Sequence, residues 1–256
     1  MKTYIEILKV TKDKKKFIVL TNNGEYKFDE ETIIKHLILK GKTFSDDEFE
    51  EILKTEEISK LFNKALNYIS YQMRSENEII EYLKEKEASF NQIEIILEKI
   101  KDFGYINDLE LANNLFESMI RNKKGPKVLE IKLKEKRIDE KIINEILLKY
   151  THDIEKDVID ELLNNLKDKK TDKPIKKQRQ HIYEKLIRDG FSNELVNNII
   201  STVKLVDNSS ETLEKELEKL EYKYRDCTGY ERRTKIISNL LNKGYEYSDI
   251  SKKIKE

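Results

Sequence analysis

Among the side chains that could serve as nucleophile, base or metal ligand, the histidines and the cysteine come first: His36, His152, His181 and a single Cys227. They are scattered, and none falls in the H-x-x-x-H or H-E-x-x-H spacing that presents two zinc ligands on one helical face. One cysteine permits no internal disulfide and no cysteine-rich zinc site. Cys227 stands beside Thr228 and Gly229 without a nucleophile motif, so an inert thiol is expected. Gly24, Gly41 and Gly104 stand singly, and no glycine-rich loop is present to cradle a phosphate. The acidic run Asp46-Asp47-Glu48 with Glu50-Glu51 could ligate a metal or pair as acid and base. Acidic residues also favour a helix start, where they oppose the positive end of the dipole, and that plainer cause is preferred. Glu211, Glu214, Glu216, Glu218 and Glu221 interleave with Lys215 and Lys219 as on a solvated helical face. No acid, base and nucleophile converge, so neither enzymatic activity nor a metal or cofactor is expected.

The cations are more informative. Residues 121–141 carry nine Lys/Arg against four Asp/Glu, and residues 167–190 repeat that balance. In the first block Arg121, Lys123, Lys124 and Lys127 surround Gly125-Pro126, with proline placed to open a helix. At 100° per residue Lys127, Lys134 and Arg137 share an arc of about 80° that also holds Glu130, away from Leu129 and Leu133. That face is either simply solvated or a docking surface for an acidic partner or a phosphate backbone. The second block comprises Lys167, Lys169, Lys170, Lys173, Lys176, Lys177 and Arg179 around Pro174. Neither block shows the interleaved aromatics of a stacking platform for single strands. Candidate binding residues are therefore Arg121, Lys123, Lys124, Lys127, Lys134 and Arg137, with Lys173, Lys176, Lys177 and Arg179 as a second cluster.

The elements that must carry these residues follow from composition. The chain has 256 residues, 50 basic against 50 acidic, 38% apolar, with 7 glycines and 2 prolines. Glycine and proline together reach about 3.5%, far below the roughly 12% of ordinary proteins, which suits long helices rather than a barrel or a Rossmann domain. Neutral net charge also argues against a dedicated duplex binder. The N-terminus lacks a signal-peptide pattern and no run approaches a membrane span, so a cytoplasmic protein without membrane contact is expected.

Residues 1–28 differ from the rest. Apolar runs at Tyr4–Val10 and Phe17–Leu20, then Asn22-Asn23-Gly24 before Glu25–Phe28, predict a meander of three strands. Ile33, Ile34, Leu37 and Ile38 predict a short helix ended by Lys40-Gly41. Ser45 with Glu48 forms a capping box, and Phe44 with Phe49 a staple. Four segments then align without gaps, starting at Leu83, Leu133, Leu186 and Leu240. Ile79, Leu129, Ile182 and Ile236 precede those leucines by one turn, and Ile93, Ile143, Val196 and Ile250 mark the next helix. Ser89, Asp139, Ser192 and Glu246 form the N-cap column, and Gly190 and Gly244 end the first helix of their pairs. A longer helix precedes each pair, roughly over 46–73 (with room for a break), 108–122, 153–168 and 210–225. The expected fold is all-α: tandem three-helix repeats forming an elongated curved array, with a small N-terminal β meander plus helix. The boundaries read as an N-terminal module over 1–44, then repeats over 45–107, 108–150, 151–206 and 207–256.

Ala65-Leu66-Asn67-Tyr68-Ile69-Ser70, Arg74-Ser75, Glu78, Tyr82-Leu83-Lys84-Glu85-Lys86, Phe103-Gly104-Tyr105-Ile106-Asn107-Asp108 and Leu111-Ala112 stand in an order that resembles the RecX family of recombinase regulators. So does Lys124-Gly125-Pro126 followed by Ile131-Lys132-Leu133-Lys134-Glu135-Lys136. The likeness is closest over residues 65–150, and the N-terminal strands are similar to an extra module of some bacterial members. Two positions depart from the pattern: Glu87 and Arg137 stand where a glycine commonly follows Lys-x-Lys. A fourth repeat is a further departure. The resemblance implies a protein that binds the RecA filament along its groove and inhibits ATP hydrolysis, strand exchange and coprotease activity, favouring disassembly. It would thereby modulate recombination, DNA repair and the SOS response, with single-stranded DNA as a further contact. It implies no catalytic residues, and a monomer is expected. The competing expectation is a helical DNA-binding protein acting independently of RecA.

Overall fold

The structure, a computed structural model, describes residues 4–14, 16–167, 173–205 and 209–254. These divide into two compact units, one of residues up to 112 with 135–139, the other of residues 113–134 with 140 onward.

The first unit opens with β1 (Tyr4–Asp13), β2 (Lys16–Thr21) and β3 (Gly24–Asp29), the antiparallel meander read from the sequence. Asn22 ties it at one end, accepting from the Glu6 N–H at 3.0 Å and donating to the Tyr4 carbonyl at 2.9 Å. A fourth strand, β4 (Thr43–Ser45), pairs antiparallel with Tyr4–Glu6 and gives the order β3-β2-β1-β4. Three residues are too few to display alternation, so this strand was not expected. The helix α1 (Glu30–Lys35) also ends sooner than Lys40-Gly41. Leu37 turns the chain at φ 51, the Ile38 N–H closes on the Ile33 carbonyl at 3.0 Å, and the Ile38 side chain is thereby fully buried. Gly41 instead leads into β4, its N–H donating to the Ile7 carbonyl at 2.8 Å.

The helix α2 (Asp46–Ser70) is unbroken and serves two cores. Its start carries the Ser45–Glu48 capping box, and Phe49 and Ile52 bury against Ile5, Ile7, Val19 and Phe28 of the sheet. A half-turn core of this kind is what a short meander needs, since it cannot stand alone. Further along, Leu61, Phe62 and Ala65 join Ile79, Leu83, Ile93 and Ile96 in a second cluster. Between the two stretches sits the buried Glu56, which accepts from the Asp29 N–H at 2.7 Å and the Thr32 hydroxyl at 2.9 Å, with Lys16 and Lys60 each 3.6 Å away. A buried carboxylate costs several kcal/mol unless so partnered.

The aligned segments form helical pairs: α3 (Glu76–Glu85) with α4 (Phe90–Asp102), and α6 (Pro126–Glu135) with α7 (Glu140–Lys149). Further pairs are α9 (Ile175–Arg188) with α10 (Asn193–Thr202), and α12 (Gly229–Asn242) with α13 (Tyr247–Lys253). A longer helix precedes the last three: α5 (Asp108–Arg121), α8 (His152–Lys167) and α11 (Ser209–Lys223). The fold is thus a series of three-helix repeats behind a small sheet. Three of the turns inside a pair are closed alike. Ala88, Phe191 and Tyr245 donate their N–H to Leu83, Leu186 and Leu240 at 3.1 Å, the Schellman bond that reuses an orphan carbonyl. Ser89 caps α4 as read, and Ser192 holds the N-cap position of α10 as read but makes no side-chain cap bond; its hydroxyl and N–H donate instead to Glu155, at 3.2 and 2.6 Å.

The Schellman bond requires a left-handed residue, supplied by Gly190 and Gly244, but by Glu87 (φ 62) in the first pair; Arg137 (φ 53) is left-handed at the corresponding place in the second. A side chain there costs about 1–2 kcal/mol. Because Glu87 is exposed, Glu87→Gly is expected to stabilise the protein by about 1 kcal/mol, read as a higher urea midpoint at unchanged slope; a lower midpoint would contradict the strain.

Candidate functional site

The first predicted cluster lies largely in the second unit, where part of it is bound up in packing. After α5 ends, Lys123 turns left-handed and the chain reaches the turn between α9 and α10. The Gly125 N–H donates to the Asp189 carbonyl at 2.7 Å and the Lys127 N–H to the Gly190 carbonyl at 3.2 Å. Those amides are the orphan donors at the start of α6, and those carbonyls lie just past the end of α9, so oppositely polarised helix ends meet. Lys124 Nζ adds an ion pair with Asp189 Oδ1 at 2.6 Å. The Tyr150 hydroxyl donates to the Lys124 carbonyl at 2.7 Å. Burial and the charge of Glu155 push the Tyr150 pKa up to about 12, which keeps it a donor. A Cβ on Gly125 would lie 2.4 Å from the Gly190 carbonyl atoms, so no other residue fits without moving backbone.

Lys123 is likewise engaged, 2.6 Å from Glu161. Arg121 and Lys134 are exposed and pair along their own helices, with Glu117 at 3.7 Å and Glu130 at 2.6 Å. Lys127 is exposed with no ion partner among the described residues. Arg137 does not share their face: α6 stops at Glu135, and Arg137 belongs to the first unit, 3.3 Å from Glu81. Helical counting failed there because the chain had already left the helix.

In the first unit the same kind of joint recurs at the motif residues Arg74, Ser75 and Glu78. The Ser75 hydroxyl donates to the Lys136 carbonyl at 2.5 Å and Asn77 Nδ2 to the Arg137 carbonyl at 2.6 Å, so the start of α3 meets the turn after α6. Burial would raise the Glu78 pKa, but the Lys136 ammonium at 2.8 Å, the Ser75 N–H and Arg74 outweigh it and hold the carboxyl below its ordinary range. Tyr68 stacks on Tyr82 at 4.2 Å, with the Arg74 guanidinium 4.0 Å over the Tyr68 ring.

Three of the four residues of the second predicted cluster stay open. Lys176, Lys177 and Arg179 on α9 are exposed, and with Lys185 and Arg188 they have no ion partner among the described residues. The only carboxylate on this helix is Glu184. Lys173 and Lys177 edge a cleft with His181 and Lys243, and the Lys177 stem packs on Gly244. Lys176 and Arg179 edge another, of about 670 Å³, which Tyr183 and Tyr245 also line. Aromatics missing from the basic run are thus supplied by the fold, one from the next turn of α9 and one from the following pair. Of the remaining basic residues of that block, the Lys167 side chain, Lys169 and Lys170 lie outside the described residues.

Among the described residues, no three His, Cys, Asp or Glu side chains are placed to hold a metal ion, and no helix is long and apolar enough to cross a membrane. His36 is 2.9 Å from the Thr55 hydroxyl, and Cys227 Sγ is 3.5 Å from Lys235 Nζ.

A family model described as RecX, first three-helix domain, matches residues 62–99, which span the last third of α2, all of α3 and most of α4. The regulatory protein RecX of Listeria innocua is 31% identical over 251 residues, covering 96% of this chain and 93% of the relative. The chain belongs to the RecX family. A second RecX relative, from Bacillus velezensis, is 32% identical over 246 residues, covering 93% and 92% of the two chains. The crystal structure of a regulatory protein RecX is similar with a TM-score of 0.63 at 25% identity, over 78% of this chain and 100% of the other.

The Lys124-Gly125-Pro126 motif of this RecX chain is therefore a joint, and its glycine answers to contact rather than conformation. Gly125→Ala is expected to cost about 2–3 kcal/mol, since backbone atoms cannot swing aside; Lys127→Met, on the exposed side, leaves stability within about 0.5 kcal/mol. Thermal unfolding of both variants checks this, and equal midpoints would refute the joint.

Proposed function

We propose that the protein is a negative regulator of RecA that binds the RecA–DNA filament and restrains its ATP hydrolysis, strand exchange and coprotease activity, and so modulates recombination and repair. The observation that carries this reading is membership of the RecX family over more than nine-tenths of the chain, alongside relatives named regulatory protein RecX. The open cations of α9 support it, because a filament of protein and DNA offers many acidic groups. In this reading the four repeats, 45–107, 108–150, 151–206 and 207–256, are serial contact modules on a monomer in the cytoplasm, and single-stranded DNA lies within reach. Several weak contacts in one chain raise affinity multiplicatively. Inhibition then needs no reactive group: a ligand spanning neighbouring subunits resists their motion by as much as it prefers one filament state.

The same cations favour a second reading, direct DNA binding independent of RecA. A chain with 50 basic and 50 acidic residues suits it less well. Titration into RecA on single-stranded DNA is expected to suppress ATP hydrolysis at protein concentrations far below that of RecA. Full hydrolysis throughout, with salt-sensitive binding to naked DNA, would contradict the first reading and select the second.

A further inference from the structure

We propose that the cleft bounded by α9, α10 and α13 seats a segment of the partner protein that carries an apolar anchor, carboxylates on one flank and cations on the other. The proposal rests on the filament reading and names a contact which that reading leaves open.

The cleft holds about 670 Å³, enough for one or two large side chains. Pro174, Ile175, Tyr183, Ile200 and Tyr245 are among the residues that line it. Tyr245 is buried, and its backbone is fixed by the Schellman bond to Leu240, so this part of the cleft is set before any partner arrives. Pre-formed apolar pockets of this kind take the anchors that dominate interface energy.

The rim is charged, with different signs on its two sides. Lys176 and Arg179, one helical turn apart, are exposed and unpaired among the described residues. The same cleft is lined from the start of α13 by Glu246 and Asp249. Glu246 occupies the N-cap position of α13 without making a side-chain cap bond, and among the described residues the one ion partner of Asp249 is the exposed Lys252, at 3.6 Å. No ion pair joins the two sides among the described residues, so both remain available.

Such a rim discriminates between ligands. A nucleic-acid strand carries one sign of charge and would be drawn to α9 but repelled by α13. A protein segment can match both sides at once, and complementary charge then fixes its direction in the cleft.

The test is co-sedimentation of the full chain with RecA filaments on single-stranded DNA, comparing the natural protein with the double variants K176E/R179E and E246K/D249K. Each variant is expected to bind at least fivefold more weakly with unchanged helical circular dichroism. Tighter binding by E246K/D249K would mean that a strand of DNA occupies the cleft, and would overturn the proposal. Unaltered binding by either variant would overturn it too. If the natural protein fails to sediment with the filament, the filament reading itself falls. A photo-crosslinking side chain placed at Gln180, on the rim, gives an independent measure that does not disturb either charged side. Crosslinks to the RecA polypeptide are expected, whereas crosslinks to DNA, or none from a filament-bound protein, overturn the assignment.

Discussion

The start of one helix resting on the turn that ends another is the constraint on which the rest depends. In the second unit the Gly125 and Lys127 amides reach the carbonyls of Asp189 and Gly190. In the first unit Ser75 and Asn77 reach the carbonyls of Lys136 and Arg137. A third example packs the Lys177 stem on Gly244. Helix ends leave unsatisfied amides and carbonyls, and a repeat protein must satisfy them or leave them to water. Joining the positive end of one helix to the negative end of another does so without any additional residues, and it repeats because the three-helix unit repeats.

That constraint decides which cations are free. Lys124 is held by Asp189 and Lys123 by Glu161, so their charge is largely neutralised within the fold. Helix α9 has a single acidic residue, and its cations face outward instead. The two basic blocks have the same net charge, yet packing treats them differently: in the first Lys123 and Lys124 are tied up within the fold while Arg121, Lys127 and Lys134 stay exposed, and in the second the cations of α9 carry no ion partner among the described residues. Regulation by docking, as proposed, would draw on the second.

Much of this organisation was legible in the sequence. The columns Ile79, Leu129, Ile182, Ile236 and Ile93, Ile143, Val196, Ile250 depend only on helical periodicity, and all but one of these residues are under 6% exposed, Ile93 standing at 6%. The Ser45–Glu48 capping box is likewise a local pattern, four residues long. What could not be read depends on distant partners. Nothing near Gly125 announces that Gly190 lies against it, and nothing near Lys176 announces Tyr245. Strand β4 is too short to show a period, and the early end of α1 is dictated by the burial of Ile38. Glu87 and Arg137 are an intermediate case: the missing glycine was visible as a departure from the family pattern, and the left-handed backbone gives that departure its physical meaning.

Hydrogen exchange at the amide of Gly125 tests the joint most directly, because that amide belongs to no helix ladder and owes its protection to Asp189 alone. If the joint holds the unit together, this amide exchanges as slowly as the core amides of α9, through global opening. Exchange at the rate of an exposed loop amide would contradict the account.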